Sequence, residues 1–498
     1  MLKGPRQQKV MRFSKQRRNF LKEAVISGAS FALGAVAPGY GNSGGSPTGR
    51  AGSKPNVVFV FADQWRAQAT GYAGDPNVMT PNLDRLAAES VSFPNAVSCC
   101  PVCSPYRATL MTGQYPLTHG VFMNDVQLKT NAVTMAQAYK AAGYDTAYIG
   151  KWHLDGHGRS SFIPKERRLG FEYFKAMECT HDYNNSYYYA DEDVKLKWPG
   201  YDAIAQTEDA SRYIVEHREG KPFLLVLSWG PPHNPYLTAP GQYQGLYKDR
   251  TLSLRPNVPA DCYQDAQNQL RGYYAHISAL DHCIGELVRT LNQCGLAKDT
   301  IFVFTSDHGD MLYSHGQRSK QRPWDESIRV PFLLRYPAVL GNKARTIDVP
   351  FNSPDILPTL LRLSSIEIPA SVEGADFSDA VCGMSTAASE AALIMCPAPF
   401  GEWQRAKHGG KEYRGIRTQK YTYVRDIKGP WLLYDNQQDP CQLNNLCNQP
   451  EMAALQNRLD AVLSQKLQQT HDEFRPAAYY LEKWSYTVDE TGTVPYTP

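Results

Sequence analysis

The stretch Cys99-Cys100-Pro101-Val102-Cys103-Ser104-Pro105-Tyr106-Arg107-Ala108-Thr109-Leu110-Met111-Thr112-Gly113 gathers a thiol, a cation and strong helix punctuation into fifteen residues. Ser104 can cap a helix, Pro105 suits its first turn and Gly113 suits the position just past its end. The spacing therefore predicts one short helix with Cys103 just before its start. Unpaired backbone N–H groups and the helix dipole make that place electropositive, and Arg107, one turn on, adds a full charge. An anion is favoured there, and the same field lowers the thiol pKa and makes the sulfur reactive. The plainer alternative is a cysteine packed under a helix start, or paired with Cys99 or Cys100.

Other groups capable of chemistry stand at the ends of apolar runs. Asn56–Ala62 is a continuous β-branched and aromatic run that ends at Asp63, followed by Gln64. Tyr144–Ile149 runs into Gly150-Lys151-Trp152-His153, and Pro222–Ser228 into Pro231-Pro232-His233-Asn234-Pro235. Thr300–Ser306 leads into Asp307-His308-Gly309. Uninterrupted apolar runs of this length suit strands covered on both faces. Between them lie helical patterns over Thr80–Ala87, Thr130–Ala142 closed by Gly143, Asp202–Glu219 closed by Gly220, and Ala266–Cys294 closed by Gly295. Strands alternating with helices predict an α/β fold with a large, mostly parallel sheet sandwiched by helices. Ligands of such sheets bind outside the carboxyl ends of the strands, which gives these endings a physical reason to converge. Asp63, Asp307 and His308 can hold a divalent metal beside Cys103. Gln64 offers only an amide oxygen and His308 a nitrogen, so the set has fewer carboxylates than a hard calcium cage prefers. Taken singly, Lys151 and Lys320 read as surface charges and His153 and His233 as loop histidines; it is their joint occurrence after successive strands that points to a site.

Near residue 380 the pattern changes. Ala391–Met395 is a strand, Arg414–Thr418 and Tyr421–Arg425 read as an antiparallel pair around Gln419-Lys420, and Glu451–Thr470 is helical, predicting a small C-terminal α+β subdomain with an antiparallel sheet. The tail after Phe474 is left unplaced. At 498 residues, 42% hydrophobic and 20% charged, with a formal charge of +3, the composition is that of a globular protein and carries no nucleic-acid stripe. Ser14-Lys15-Gln16-Arg17-Arg18-Asn19-Phe20-Leu21-Lys22 resembles a twin-arginine export signal, and the apolar stretch Ala24–Ala37 is too short for a mature membrane span. These features predict a signal peptide over 1–37, a flexible leader over 38–54, a catalytic domain over 55–380 and the subdomain over 381–498. The expected location is periplasmic or secreted in a bacterium, with the Tat translocase as an export partner. Eleven cysteines leave ten if Cys103 is consumed, which permits disulfides; Cys441 and Cys447 are close enough to pair or to remain two buried thiols.

Cys103-x-Pro105-x-Arg107 followed by Ala108-Thr109-Leu110-Met111-Thr112-Gly113 resembles the signature of type I sulfatases, of the alkaline phosphatase-like superfamily, in which the cysteine is oxidised to formylglycine (3-oxoalanine). That family usually has Ser where this chain has Tyr106. Lys151 and His153 in Gly-Lys-Trp-His-Leu, His233 in Pro-Pro-His-Asn-Pro, and Lys320 in Ser-Lys-Gln-Arg-Pro-Trp-Asp-Glu-Ser match further positions of the sulfatase site, and Leu433-Tyr434-Asp435, Asp439-Pro440 and Asn445-Leu446 resemble a turn of the C-terminal subdomain. The resemblance implies metal ligands Asp63, Gln64, Asp307 and His308 with an oxygen of formylglycine at Cys103, the metal being Ca2+ by family, with Mn2+ or Mg2+ open. It implies that Arg107 and Lys151 hold the formylglycine diol, that His153 is the base for sulfate release, and that His233 with Lys320 binds sulfate and assists the leaving group. The expected partners are a sulfated small molecule or glycan and a formylglycine-generating maturation enzyme. His119, His157, His181 and His315 are read as substrate-side or structural. Tyr183–Tyr189, and Tyr236–Tyr247 with Trp229, are candidate sugar-stacking surfaces or ordinary tyrosines in a chain with thirty of them. The alternatives are a phosphonate monoester hydrolase or phosphodiesterase of the same superfamily, and a non-catalytic protein that binds sulfated glycans.

Overall fold

The computed structural model of the chain describes residues 54–386, 389–404 and 409–496. The twin-arginine stretch and the leader up to Ser53 lie outside them. Strand β1 (Asn56–Asp63) shows why the apolar runs are continuous. Val57, Phe59 and Phe61 enter one hydrophobic core and Val58, Val60 and Ala62 enter the other, so neither face meets water. Each large side chain so buried contributes about 1.5–3 kcal/mol, and the alternating geometry of a strand forces apolar residues at every position.

Seven further strands complete the sheet: β2 (Val91–Ser92), β3 (Asp145–Lys151), β4 (Tyr173–Met177), β5 (Phe223–Pro232), β6 (Thr300–Ser306), β7 (Phe332–Arg335) and β8 (Arg345–Thr346). Their order is β8-β2-β7-β6-β1-β5-β3-β4. The five strands β6, β1, β5, β3 and β4 run parallel, whereas β7 is antiparallel to β6 and to β2. Helices cover both faces. On the Val57 side lie α2 (Cys103–Thr112) and α3 (Met135–Ala141), and on the Val58 side α4 (Asp202–Glu216) and the 31-residue α5 (Tyr263–Gln293). Preceding them, α1 (Pro81–Ala87) joins the Val58 side through Leu83 and Leu86.

Of the helix starts that differ from expectation, two have a cause in their caps. Helix α2 begins at Cys103 itself, with extended Val102 as its cap, because the Ser104 hydroxyl donates to the His153 carbonyl at 2.8 Å instead of capping. Cys103 is therefore the first helical residue; Gly113 does end the helix, at φ 68°. Helix α3 starts only at Met135, where Thr134 and Gln137 form a reciprocal capping box, so the residues from Thr130 stay outside.

The C-terminal sheet is separate and antiparallel, in the order β9 (Ala391–Cys396), β10 (Tyr413–Thr418), β11 (Tyr421–Asp426) and β12 (Gly429–Asp435). Helix α6 (Ala453–Gln469) buries Leu459, Leu463 and Leu467 in the core on the Val57 side. Arg417 of β10 ties this sheet to the short helix Asp325–Ile328 that leads into β7, donating through Nε and Nη2 to Asp325 at 3.0 and 3.2 Å. The tail, which the sequence left unplaced, forms α7 (Ala477–Lys483) and returns to the catalytic layer. The Trp484 ring fills the space that Gly120 leaves open, and the Tyr486 hydroxyl donates to the Gly120 carbonyl at 3.1 Å. All eleven cysteines are free, so no disulfide forms. Cys441 and Cys447 are half-buried and point elsewhere, Cys441 towards Arg255.

Candidate active site

The four strand ends converge as parallel topology requires. Asp63 ends β1, Lys151 ends β3 with His153 two residues beyond, His233 follows β5, and Asp307 and His308 follow β6. Cys103 faces them from the first turn of α2, fully buried. Its Sγ lies 2.9 Å from Lys320 Nζ, 3.3 Å from His308 Nε2 and 3.5 Å from Asp63 Oδ1. Burial and Asp63 push the thiol pKa up, but Lys151 and Lys320 prevail and hold it well below the usual thiol range.

Arg107 is buried behind this group. Its Nη2 donates to Asp63 Oδ2 at 3.3 Å and Asp307 Oδ2 at 3.2 Å, while Nη1 donates to the Lys151 carbonyl and Ser228 Oγ at 2.7 and 2.6 Å. One guanidinium thus clamps two carboxylates that would repel. Lys151 Nζ donates to Asp63 Oδ2 at 2.5 Å. Burial favours a neutral Asp63, but the ammonium groups of Lys151 and Lys320 outweigh it and keep that carboxyl well below its ordinary value. Asp307 is instead raised to about 6, by burial and then by the charge of Asp63.

The ligand atoms of Asp63, Cys103, Asp307 and His308 all lie within 4.8 Å of one another. His308 Nδ1 is 2.9 Å from the Gly309 carbonyl and must donate to it, which leaves the Nε2 lone pair directed at the carboxylates. Gln64, held at φ 71°, donates its backbone N–H to Asp307 Oδ1 and its Nε2 to Asp310 Oδ2, at 2.9 and 2.7 Å. Its Oε1 is buried with no hydrogen-bond partner among the described residues. Two carboxylates, one imidazole nitrogen and an orphaned amide oxygen are a donor set that fits a divalent cation.

On one flank, Lys320 Nζ also donates to His233 Nε2 at 3.1 Å. His233 Nδ1 donates to the Asn234 carbonyl at 2.9 Å, and burial followed by Lys320 holds this imidazole well below its usual pKa, hence neutral. His181 stacks on it with ring centroids 4.6 Å apart. On the other flank, His153 sits at φ 58°, a conformation costly for a residue with a Cβ. Its Nε2 lies 3.2 Å from Asp125 Oδ1, and Asp125 also accepts from Arg159 Nε and Nη2, both at 2.8 Å. Asp125 stays ionised because Arg159 and His153 outweigh its burial, so His153 Nε2 must carry the donated proton. His153 Nδ1 is buried with no hydrogen-bond partner among the described residues, and Cys179, Lys151 and Cys103 also lie near the ring.

Asp63, Gln64, Cys103, Arg107, Lys151, His153, His233, Asp307, His308 and Lys320 are thus brought to one place. Asp125, Arg159 and Asp310 were missed; their only signal is charge in the loops Asn124-Asp125 and Gly158-Arg159 and just past Gly309. His119 is structural, held by Thr109 Oγ1 and the Val121 N–H, and His315 stacks on Trp324. Tyr106 faces the core beside Phe61 rather than the site. The expected sugar-stacking surfaces are largely core: Tyr183, Tyr189, Trp229, Tyr236 and Tyr247 are buried, and Tyr183 donates to the His233 carbonyl.

Fold and site together define a hydrolase of the alkaline phosphatase-like kind, built to hold an anionic ester between a metal-type ligand set and three cations. Residues 55–366 match the sulfatase family and residues 314–470 the C-terminal region of N-sulphoglucosamine sulphohydrolase. The chain belongs to the sulfatase family and is a sulfuric ester hydrolase. It is 47% identical over 449 residues to an ulvan-active sulfatase of Formosa agariphila, covering 89% of this chain and 87% of the relative. An endo-4-O-sulfatase of Bacteroides thetaiotaomicron is 33% identical over 462 residues, covering 79% and 88%. A solved sulfatase structure from work on glycosaminoglycan metabolism by Bacteroides thetaiotaomicron superposes with a TM-score of 0.77 at 30% identity, covering 87% of this chain and 99% of that one. Phosphonate monoester hydrolase of Agrobacterium radiobacter, at 24% identity and a TM-score of 0.66, shares the fold. Sulfatases generally use formylglycine and a metal.

Proposed function

We propose that this protein releases inorganic sulfate from a sulfated glycan. Its Cys103 is converted to formylglycine, and Asp63, Gln64, Asp307 and His308, with an oxygen at position 103, hold one divalent cation, Ca2+ by family. When both are in place, the hydrated aldehyde supplies a nucleophile for sulfur and the cation polarises the sulfate oxygens. The chain's own residues do the rest. Arg107 and Lys151 fix the carboxylates and the oxygens at position 103. Lys320, shared between position 103 and His233, neutralises sulfate charge. Neutral His233 with Lys320 serves the departing oxygen, and His153, with Nε2–H committed to Asp125, keeps Nδ1 free to take a proton from residue 103. The observation that carries this reading is Cys103 Sγ at the start of a helix, within 3.5 Å of Lys320, His308 and Asp63. The glycan part rests on the ulvan-active and endo-4-O-sulfatase relatives.

The test uses protein co-expressed with a maturation enzyme, with the Cys103 peptide weighed by mass spectrometry. Sulfate release is measured from ulvan and from a chromogenic aryl sulfate, beside the matched phosphate diester, for wild type and Cys103→Ala. The expected result is release from glycan that the variant lacks. Preference for the diester would move the protein to the phosphodiesterase reading. An unmodified cysteine with glycan binding and no turnover would make it a binding protein.

No helix among the described residues is long and apolar enough to cross a membrane. Export through the Tat translocase to the periplasm or beyond is the location we propose, from the Arg17-Arg18 stretch. Lys replacement of both arginines should retain the protein in the cytoplasm.

A further inference from the structure

The returning tail does more than pack. Between it and the loops beside His153 lies a cavity of about 520 Å3, lined by Asp125, Gln127, Lys129, His157, Trp484 and Tyr486 among others. It adjoins the catalytic centre through Asp125, which accepts from His153 Nε2. The far end of the tail closes over the same corner, where the Tyr496 ring lies 3.5 Å from the Arg159 guanidinium carbon. The wall is built rather than draped, because Trp484 seats on the bare Cα of Gly120, and a Cβ there would stand 2.3 Å from the indole.

Its charges are unequal. Asp125 is neutralised by Arg159, and Asp155, beside the cavity, by Arg167. Lys129 is exposed and makes no ion pair among the described residues. Half-buried indole and phenol rings with one uncompensated ammonium suit a saccharide ring that carries an anion.

We propose that this cavity is the subsite for the sugar residue adjoining the sulfated one, and that Lys129 selects an anionic residue there. The anion is a carboxylate or a second sulfate ester. This rests on the sulfated-glycan reading above. Lys129→Gln, at an exposed position, is compared with wild type on three sulfated oligosaccharides. One carries a uronate next to the sulfated sugar, the second is its carboxyl-reduced counterpart, and the third bears a second sulfate on that neighbour. Wild type should prefer an acidic over the reduced substrate in kcat/KM, and Lys129→Gln should shrink that ratio about tenfold, the factor for one good charged contact. Which acidic substrate shows the larger ratio identifies the anion. An equal effect on all three, or none, overturns the subsite.

Calorimetric titration of both proteins with the desulfated uronate oligosaccharide separates this from the activity. Lys129-dependent binding without sulfate release from any substrate would reject the sulfatase reading and keep the cavity. Sulfate release with no charge preference would do the reverse.

Discussion

Asp125→Asn isolates what the loop carboxylate does for His153. The native carboxylate accepts three hydrogen bonds, from His153 Nε2 at 3.2 Å and from Arg159 Nε and Nη2 at 2.8 Å each. An amide of the same shape has one acceptor oxygen. With the amide oxygen in the Oδ2 place, bonded to Arg159 Nη2, the NH2 takes the Oδ1 place that His153 Nε2 and Arg159 Nε share; it then opposes the imidazole N–H, and the ring is released to turn or to change tautomer. A hydrogen bond to a charged group is worth about 1.5–3 kcal/mol, so kcat/KM for sulfate release should fall about ten- to 150-fold. The assay is initial-rate sulfate release from an aryl sulfate, normalised to the formylglycine content of each preparation, with a urea melt to confirm the fold. Because Asp125 acts through the imidazole, the same substitution in a His153→Ala background should cost little. A rate within threefold of wild type, or an undiminished loss in the His153→Ala background, would refute the assignment.

Other consequences lie further from the chemistry. Gly120 sits at φ 82° with the Trp484 ring 2.3 Å from where a Cβ would stand, so Gly120→Ala should cost at least about 1–2 kcal/mol in a denaturant titration and loosen the tail. An unchanged midpoint would mean that the tail is not seated there. Burial alone would raise Asp325, but Arg417 and then Arg329 hold it at about 2. A depressed carboxyl pKa adds stability above the unfolded value, so about 2 kcal/mol should be lost progressively as the pH falls from about 5 through the folded pKa near 2. Asp325→Asn should flatten that acid limb of the unfolding free energy, and a limb of unchanged depth would count against the ion pair. Chelation should abolish sulfate release and lower the melting temperature, because an ion present at 100 times its Kd stabilises by about 2.7 kcal/mol. Elemental analysis should find one divalent ion per chain, and identical melting with and without chelator would remove the cation from the site.

Some of this was fixed by local chemistry. The doubly buried strands had to be apolar throughout, and β1, β3, β5 and β6 are readable from those runs alone. Their polar endings follow from parallel topology, which sends every carboxyl end to one edge; hence Asp63, Lys151, His153, His233, Asp307 and His308 are legible in the chain itself. Cys-x-Pro-x-Arg carried the family. What neighbours in space decide was not legible. The Ser104 hydroxyl had two partners to choose from, and only the fold brings the His153 carbonyl within 2.8 Å, leaving Val102 as the cap. Tyrosines look the same in sequence whether they face sugar or core, and Tyr183, Tyr236 and Tyr247 went inside because α4 and α5 cover them. Gln64 gains a free Oε1 only because Asp310, 246 residues away, takes its NH2. The Asp125–Arg159 pair and the tail wall join segments with no periodicity to betray them. Sequence determines hydrophobic period and local punctuation; long-range hydrogen bonds and the return of the C-terminus are settled only when the chain closes on itself.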